Sequence, residues 1–324
     1  MRRIIILGVV LAIVVAGWTG AWFYAANLIR QNVVALASAD GVSAPKVACQ
    51  QLDIGGYPFW FDVTCGGLTV TSGDLTATAS QLKASLLVYD PWHVNATATS
   101  PLALEDAFTG TKQRLDWSSL IASAHLVDGR IERISILGDK LVLNDTQAGD
   151  ALIAKADHAE FHLLDVPAEH DVSKHLAALR NYIKLDHLNA PGFQINDGSG
   201  TFDAEITGLP DNVQAFGDAD FLTRWQAAGG KLTLENNGFT GADGSISFTT
   251  TGSVGLDSQY RPQGQVTVVS SGLAERLGPM IPEQYRGLVL GSPDKDGKTS
   301  VVLNLTNALI FSGVIPLGTL PPLR

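Results

Sequence analysis

Charge is what this chain most lacks. Asp, Glu, Lys and Arg make up 17% of its 324 residues, and none of them falls between Ile4 and Tyr24. Basic residues are the scarcer sign: 22 Lys and Arg against 32 Asp and Glu give a formal net charge of −10. Nucleic acid and strongly anionic headgroup layers are bound through clustered Lys and Arg, so this balance speaks against both as partners. There are two cysteines, too few for a disulfide-built scaffold and without the CxxC spacing of a metal or redox pair. No GxSxG elbow, Walker A loop, GxGxxG fingerprint or HExxH pair occurs, so the main nucleophile, phosphate and zinc-protease signatures are missing. Acidic pairs such as Glu105-Asp106 stand without the surroundings that mark a general acid and base. The expectation is a protein that is not an enzyme and carries no cofactor.

What the chain does have is a long apolar opening. Ile4 to Tyr24 forms a helix rising about 1.5 Å per residue, close to the ~30 Å of a bilayer's hydrocarbon core. Arg2 and Arg3 precede it, while Trp18, Trp22, Phe23 and Tyr24 gather at its far end. Basic residues stay on the cytoplasmic side and aromatic rings favour the headgroup interface. The expected topology is therefore a cytoplasmic tip at 1–3, a transmembrane anchor at 4–24, a helical stalk and linker at 25–46, and an exported domain at 47–324. The competing reading is a cleaved signal peptide, which needs a shorter apolar region followed closely by a small-x-small site. Ala35-Leu36-Ala37 has that form but lies well beyond Tyr24, and bulky aromatics occupy the place where small residues belong. Beyond the first thirty residues 19 basic side chains face 32 acidic ones, an acidic exported surface.

From Val47 the apolar period changes to two. Phe59, Phe61 and Val63 alternate with Trp60, Asp62 and Thr64; Leu82, Ala84, Leu86 and Val88 alternate with polar neighbours. Trp117–Leu126 and Ile131–Ile136 read as strands joined by Asp128-Gly129, and Leu152–Val166 as a longer one. Pro167 reads as opening a helix from Ala168 to about Leu185, with Leu176, Leu179, Tyr182 and Ile183 on its stripe. A second short helix is expected at Ala219–Ala228. Strand candidates then recur with Gly-Gly or Asp-Gly between them, among them one running through Val301, Leu303, Leu305, Leu309 and Phe311 on a single face. The fold class predicted is mainly β: the N-terminal transmembrane helix, then a long, curved, mostly antiparallel sheet with one or two short helices.

Two local constellations remain. Cys49 and Cys65 flank the turn signal Gly55-Gly56-Tyr57-Pro58; paired residues in an antiparallel hairpin share an index sum, and theirs centres on residue 57, which predicts a direct cross-strand disulfide. His158, Glu160 and His162 point to one face of a strand and are weak candidates for a metal. A solvated polar face is the stronger reading, because no fourth ligand is identifiable. His170 and His175 fall at the start of the expected helix and look ordinary.

The Ile54-Gly55-Gly56-Tyr57-Pro58-Phe59 hairpin, the following Phe61-Asp62-Val63-Thr64-Cys65 and the strand from Leu86 to Pro91, behind an apolar helix, resemble a bacterial envelope family catalogued as domain of unknown function 2125. The phrases from Trp225 to Leu234, from Gly252 to Asp257 and from Ser312 to Pro321 are similar to it as well. These later phrases also resemble pieces of the AsmA-like envelope proteins. Neither family supplies catalytic residues. The AsmA-like likeness implies a curved sheet with an apolar inner face, tied to lipid transport or envelope upkeep in the periplasm, anchored to the inner membrane by one pass. On that reading the alternating residues Phe59, Phe61, Leu86, Phe248, Leu303, Leu305 and Phe311 are candidates to line a groove for acyl chains. The alternatives are a scaffold that binds another envelope protein, and, less favoured, a metal-dependent hydrolase at His158.

Overall fold

The computed structural model describes residues 2–42, 44–147, 149–242, 244, 246–272, 281 and 283–323. The chain forms two compact units, Met1–Ser123 with Val142–Ala151, and Ala124–Leu141 with Leu152–Arg324. Among the described residues the strands of both units pair antiparallel, as the short Gly- and Asp-rich connections require.

The first unit opens with α1, Arg2–Leu36. Among the described residues it is the one helix long and apolar enough to cross a membrane. Behind it come β1 (Lys46–Gly55), β2 (Trp60–Ser72) and β3 (Leu75–Leu87) as a meander. The long β3 is shared: Leu82–Leu87 pair with β4 (Asp90–Ala98), and Leu75–Ala79 pair with β5 (Leu102–Asp106). Next, β6 (Lys112–Asp116) pairs with β5 and with Val142–Asp145 of β8 (Arg130–Asp145). The strand before β8 is β7 (Ser119–Val127); the two are joined by Asp128-Gly129, both at positive φ, the tight turn expected there.

Helix α1 lies on the sheet of its own unit. Trp22, Ala26 and Phe61 bury together, with Ala25, Ile29, Ile54, Leu86 and Val88 packed around them. Phe61 and Leu86 are direct cross-strand partners, so the helix covers the face that they share. Of the groove candidates, Phe61 is therefore buried beneath the helix and Leu86 is half-buried against it. Phe59 precedes β2 in the turn and is exposed.

Cys49 and Cys65 are bonded, with Cα atoms 5.3 Å apart, but not as direct partners. The ladder pairs Cys49 with Leu68 and Cys65 with Leu52, three positions away from the register that the sequence suggested, because the turn closes between Gly55 and Asp62 and is centred between Pro58 and Phe59 rather than on residue 57. A kink at Gly67, φ +61°, breaks the alternation, and Cys65 and Leu68 then bury in one cluster against Ala79. A Cβ on Gly67 would stand 2.5 Å from the Gln50 side chain, so glycine is what lets the kink close.

The second unit is a meander of β9 (Ala151–Asp165), β10 (Leu176–Ala190), β11 (Ile195–Pro210), β12 (Lys231–Gly241), β13 (Ser247–Leu256), β14 (Pro262–Ser271), β15 (Thr299–Thr306), β16 (Leu309–Ser312) and β17 (Ile315–Thr319). Two short helices belong to it, α2 (Phe221–Ala227), close to where one was expected, and α3 (Glu283–Leu290). The helix expected over Ala168–Leu185 does not form. Residues 167–169 and 172–174 make single 3-10 turns, His175 takes a left-handed φ of 56°, and Leu176 begins β10. Leu176-Ala177-Ala178-Leu179 has high helix propensity. However, β10 is hydrogen-bonded on both sides, to β9 and β11, and ladders along its length outweigh a preference of a few tenths of a kcal/mol per residue.

Candidate functional site

Directly opposite residues of an antiparallel ladder project to the same face, so the register of the second unit sorts its side chains. One face carries Phe161, Ile183 and Phe202 in a row across β9, β10 and β11, then Leu179, Ile206, Leu232 and Val254 across β10 to β13. It continues through Phe239 and Phe248, then Val266 with Leu303, Val268 with Val301, and Leu305 with Ile310. These apolar positions span eight strands, β9 to β16, with the polar Asn181, Thr250, Ser270 and Thr299 set among them on the same face. Phe239 and Phe248 stack with centroids 5.7 Å apart. Phe239 also lies over Gly198 and Gly200, where an added Cβ would come within 2.2 Å and 3.0 Å of its ring.

This face is not a closed core. Among the described residues of the second unit, the large apolar side chains that are buried are Leu179, Leu209 and Leu290; the other buried hydrophobic positions are alanines. Phe161, Ile183, Leu232, Phe239, Phe248, Val266, Leu303 and Leu305 are all half-buried, and Phe202 is exposed. Of the groove candidates, Phe248, Leu303 and Leu305 share one face and are half-buried. Phe311 does not join them: it sits opposite Asn304. The turn of β15 into β16 has only Asn307-Ala308, both left-handed, and its odd index sum pairs odd residues with even ones. Leu309 and Phe311 thus fall with Thr306 and Asn304. The two-residue turn reverses the alternation that the sequence implies across it.

Over β9 to β11 the opposite face is ionised. Arg180 makes a two-pronged contact with Asp203, Nε to Oδ1 at 2.7 Å and Nη2 to Oδ2 at 2.6 Å, and this bond raises the guanidinium's pKa. Lys184 binds Asp186 at 2.6 Å and its pKa rises for the same reason. Burial pushes the Glu205 carboxyl up, aided by the charges of Glu169 and Glu235.

His158, Glu160 and His162 do come together here, on one face of β9 as the alternation implied. Nδ1 of His158 lies 2.6 Å from Asp139 and Nε2 lies 2.9 Å from Glu160. Glu160 bridges onward to His162 Nε2 at 3.1 Å, and His162 Nδ1 meets the buried Ser135 hydroxyl at 2.8 Å. Carboxylates only accept, so His158 satisfies both partners as the doubly protonated imidazolium. The bonds to Asp139 and then Glu160 accordingly raise its pKa, while the bonds from His162 and then His158 lower that of Glu160. Both nitrogens of each ring are engaged, and among the described residues no three His, Cys, Asp or Glu side chains converge as a metal-binding group. The chemistry this arrangement supports is a fixed run of charge. Asp139 and Ser135 were missed in the sequence because they come from β8, with nothing in local spacing to mark them. His170, far from ordinary, has Nε2 2.7 Å from Asp165 and is nearly buried.

The family model described as an uncharacterized protein conserved in bacteria, DUF2125, matches residues 22–321. No curated protein and no solved structure matches the chain. With the hairpin, the open sheet and the C-terminal strands all inside the matched span, the chain belongs to the DUF2125 family of bacterial proteins.

Proposed function

We propose that this is a single-pass, membrane-anchored envelope protein whose bulk lies in the periplasm and which binds lipid acyl chains on the apolar face of β9–β16 without catalysing a reaction. The observation that carries the reading is that face. Its apolar side chains recur on eight strands, yet its Leu, Val, Ile and Phe residues are only half-buried. Each such side chain forgoes part of the roughly 1.5–3 kcal/mol that full burial gives, and exposed contiguous apolar patches beyond a few hundred Å² are rare on soluble monomers. An acyl chain supplies the missing apolar contact and needs no charged recognition, in keeping with a chain poor in basic residues. Helix α1 supplies the anchor, and the Cys49–Cys65 bond suits an oxidising compartment outside the cytoplasm. Lipid handling is also what the AsmA-like likeness of the C-terminal phrases implies. The histidine run supports a non-catalytic reading, since its ring nitrogens are held by carboxylates and a buried serine.

The test is photo-crosslinking of the full-length protein with a diazirine-bearing fatty acid, followed by peptide mapping. Adducts are expected on Phe248, Val266, Leu303 and Leu305 and not on Asn304 or Gln265 of the opposite face. Labelling of both faces alike, or none on either, overturns the proposal.

A further inference from the structure

The first unit presents an exposed aromatic cluster at one end of its sheet. The β1–β2 turn and the β3–β4 turn lie side by side there, with Trp60 paired to Leu87 and the Val88 N–H donating to the Phe59 carbonyl at 3.0 Å. Tyr57, Phe59 and Trp60 from the first turn, and Tyr89 and Trp92 from the second, are between 45% and 76% exposed. Rings of this kind, apolar in body and polar at one edge, favour a membrane–water interface.

The tips are fixed against α1. Trp18 Nε1 donates to the Pro58 carbonyl at 3.0 Å, Trp22 Nε1 to the Trp60 carbonyl at 2.9 Å, and the Thr19 and Tyr57 hydroxyls lie 2.8 Å apart. The Tyr57 ring also stacks on Phe23. Further along, Arg30 reaches the Leu52 carbonyl. The helix therefore runs along β1 away from the tip, and its first sheet contacts are at Trp18 and Thr19. Before them, every described residue from Arg2 to Gly17 is exposed.

That leaves the bare helix short. Ile4–Gly17 rises about 21 Å at 1.5 Å per residue, whereas a hydrocarbon core is ~30 Å thick. The missing roughly 9 Å of helix is the six residues from Trp18 to Phe23, and the hairpin tips are bound to it. We propose that the two tips are seated in the bilayer's outer interface beside the helix, with Tyr57, Phe59, Trp60, Tyr89 and Trp92 among the headgroups and upper acyl carbons. This rests on the anchor reading given above. A depth of 5–10 Å is usual for interfacial apolar faces. Between residues 55–60 and 87–92 the one formally charged side chain is Asp90, so the seating is through ring burial and not through headgroup charge.

The experiment places spin labels in the full-length protein, Cys49–Cys65 bond intact, in bilayers of phosphatidylcholine and phosphatidylglycerol. The variants are Phe59→Cys, Tyr89→Cys and Trp92→Cys, with Val10→Cys in the bare helix and Phe108→Cys as controls. Phe108 is 86% exposed in the β5–β6 turn, at the opposite end of β3. Accessibility to oxygen relative to a water-soluble nickel chelate is expected to rise several-fold at positions 59, 89 and 92 over position 108, unchanged by salt. If position 10 is in lipid while 59, 89 and 92 match 108, the bilayer has thinned to fit the bare helix and the seating is overturned. Labels shielded from both reagents mean that protein covers the tips, which also overturns it. Water-like accessibility at position 10 removes the anchor and the seating together.

Discussion

Trp22 and Phe61 stack with ring centroids 5.2 Å apart and planes 18° from parallel. Through that pair the N-terminal helix becomes part of the core of the sheet that follows it. Trp22 is 4% exposed, and its indole N–H is spent on the Trp60 carbonyl. Trp22→Ala removes a large buried ring and leaves that carbonyl without its donor. A loss of about 3–5 kcal/mol is expected. Tyr24→Ala, two residues on and exposed, should move stability by less than about 0.5 kcal/mol. Denaturant midpoints in detergent micelles decide between them; equal effects would mean that the helix does not dock through Trp22.

How much of this was legible in the sequence depends on the length scale of each feature. The apolar helix and the alternating strands are local signals, and both were readable. Registers were not. Where the Gly55–Trp60 turn reverses, the kink at Gly67, and the parity switch at Asn307-Ala308 each move residues between partners or faces. Phe239 escaped for the same reason, since the irregularity between Leu234 and Asn237 interrupts β12's alternation. Burial of Phe61 under Trp22 is a contact between segments forty residues apart, and no pattern within β2 announces it. The missed β10 is a case of pairing on both edges overriding helix propensity.

The disulfide should be structural. Cys65 is buried against Leu68 and Ala79, whereas Cys49 is only half-buried. Cys65→Ser is expected to cost roughly 2–5 kcal/mol, the usual range for losing a native bridge. It should cost more than Cys49→Ser, because the new hydroxyl is buried in an apolar cluster. Urea titration of both variants tests the order, and full alkylation of unreduced, denatured parent protein would show that the bridge is absent.

The His158–Glu160 run predicts a pH window. His158's pKa is raised in the fold, so its stabilising contribution is complete below its unfolded value near 6.5 and is lost as pH rises through the folded value. Glu160's is lowered, so its contribution is present above about 4.5 and is lost as pH falls through its folded value. Together they favour the fold most between about pH 4.5 and 6.5. Both groups are partly solvated, so the effect should be about 1 kcal/mol or less. In His158→Gln, thermal midpoints relative to the parent should converge above neutral pH and separate most within the window. A constant offset at every pH would leave the network no role in the pH dependence.

Neighbouring residues of one strand give the sharpest test of which face does the binding. Leu303 and Val302 are adjacent in β15 and similar in size. Leu303 is opposite Val266 on the apolar face, and Val302 is opposite Thr267 on the polar one. Neither is in the buried core, so an Asp at either position remains hydrated and the sheet should still form. If acyl chains lie on the apolar face, Leu303→Asp should abolish retention of a fluorescent fatty acid. Removing one Leu contact and placing a carboxylate against the chain should together weaken binding by at least about 2 kcal/mol, some thirtyfold. Val302→Asp should leave retention within about twofold. Circular dichroism and the denaturant midpoint of each variant separate loss of binding from loss of fold. Equal retention by the two variants, both folded, would show that the face carrying Phe248, Leu303 and Leu305 is not where the lipid sits.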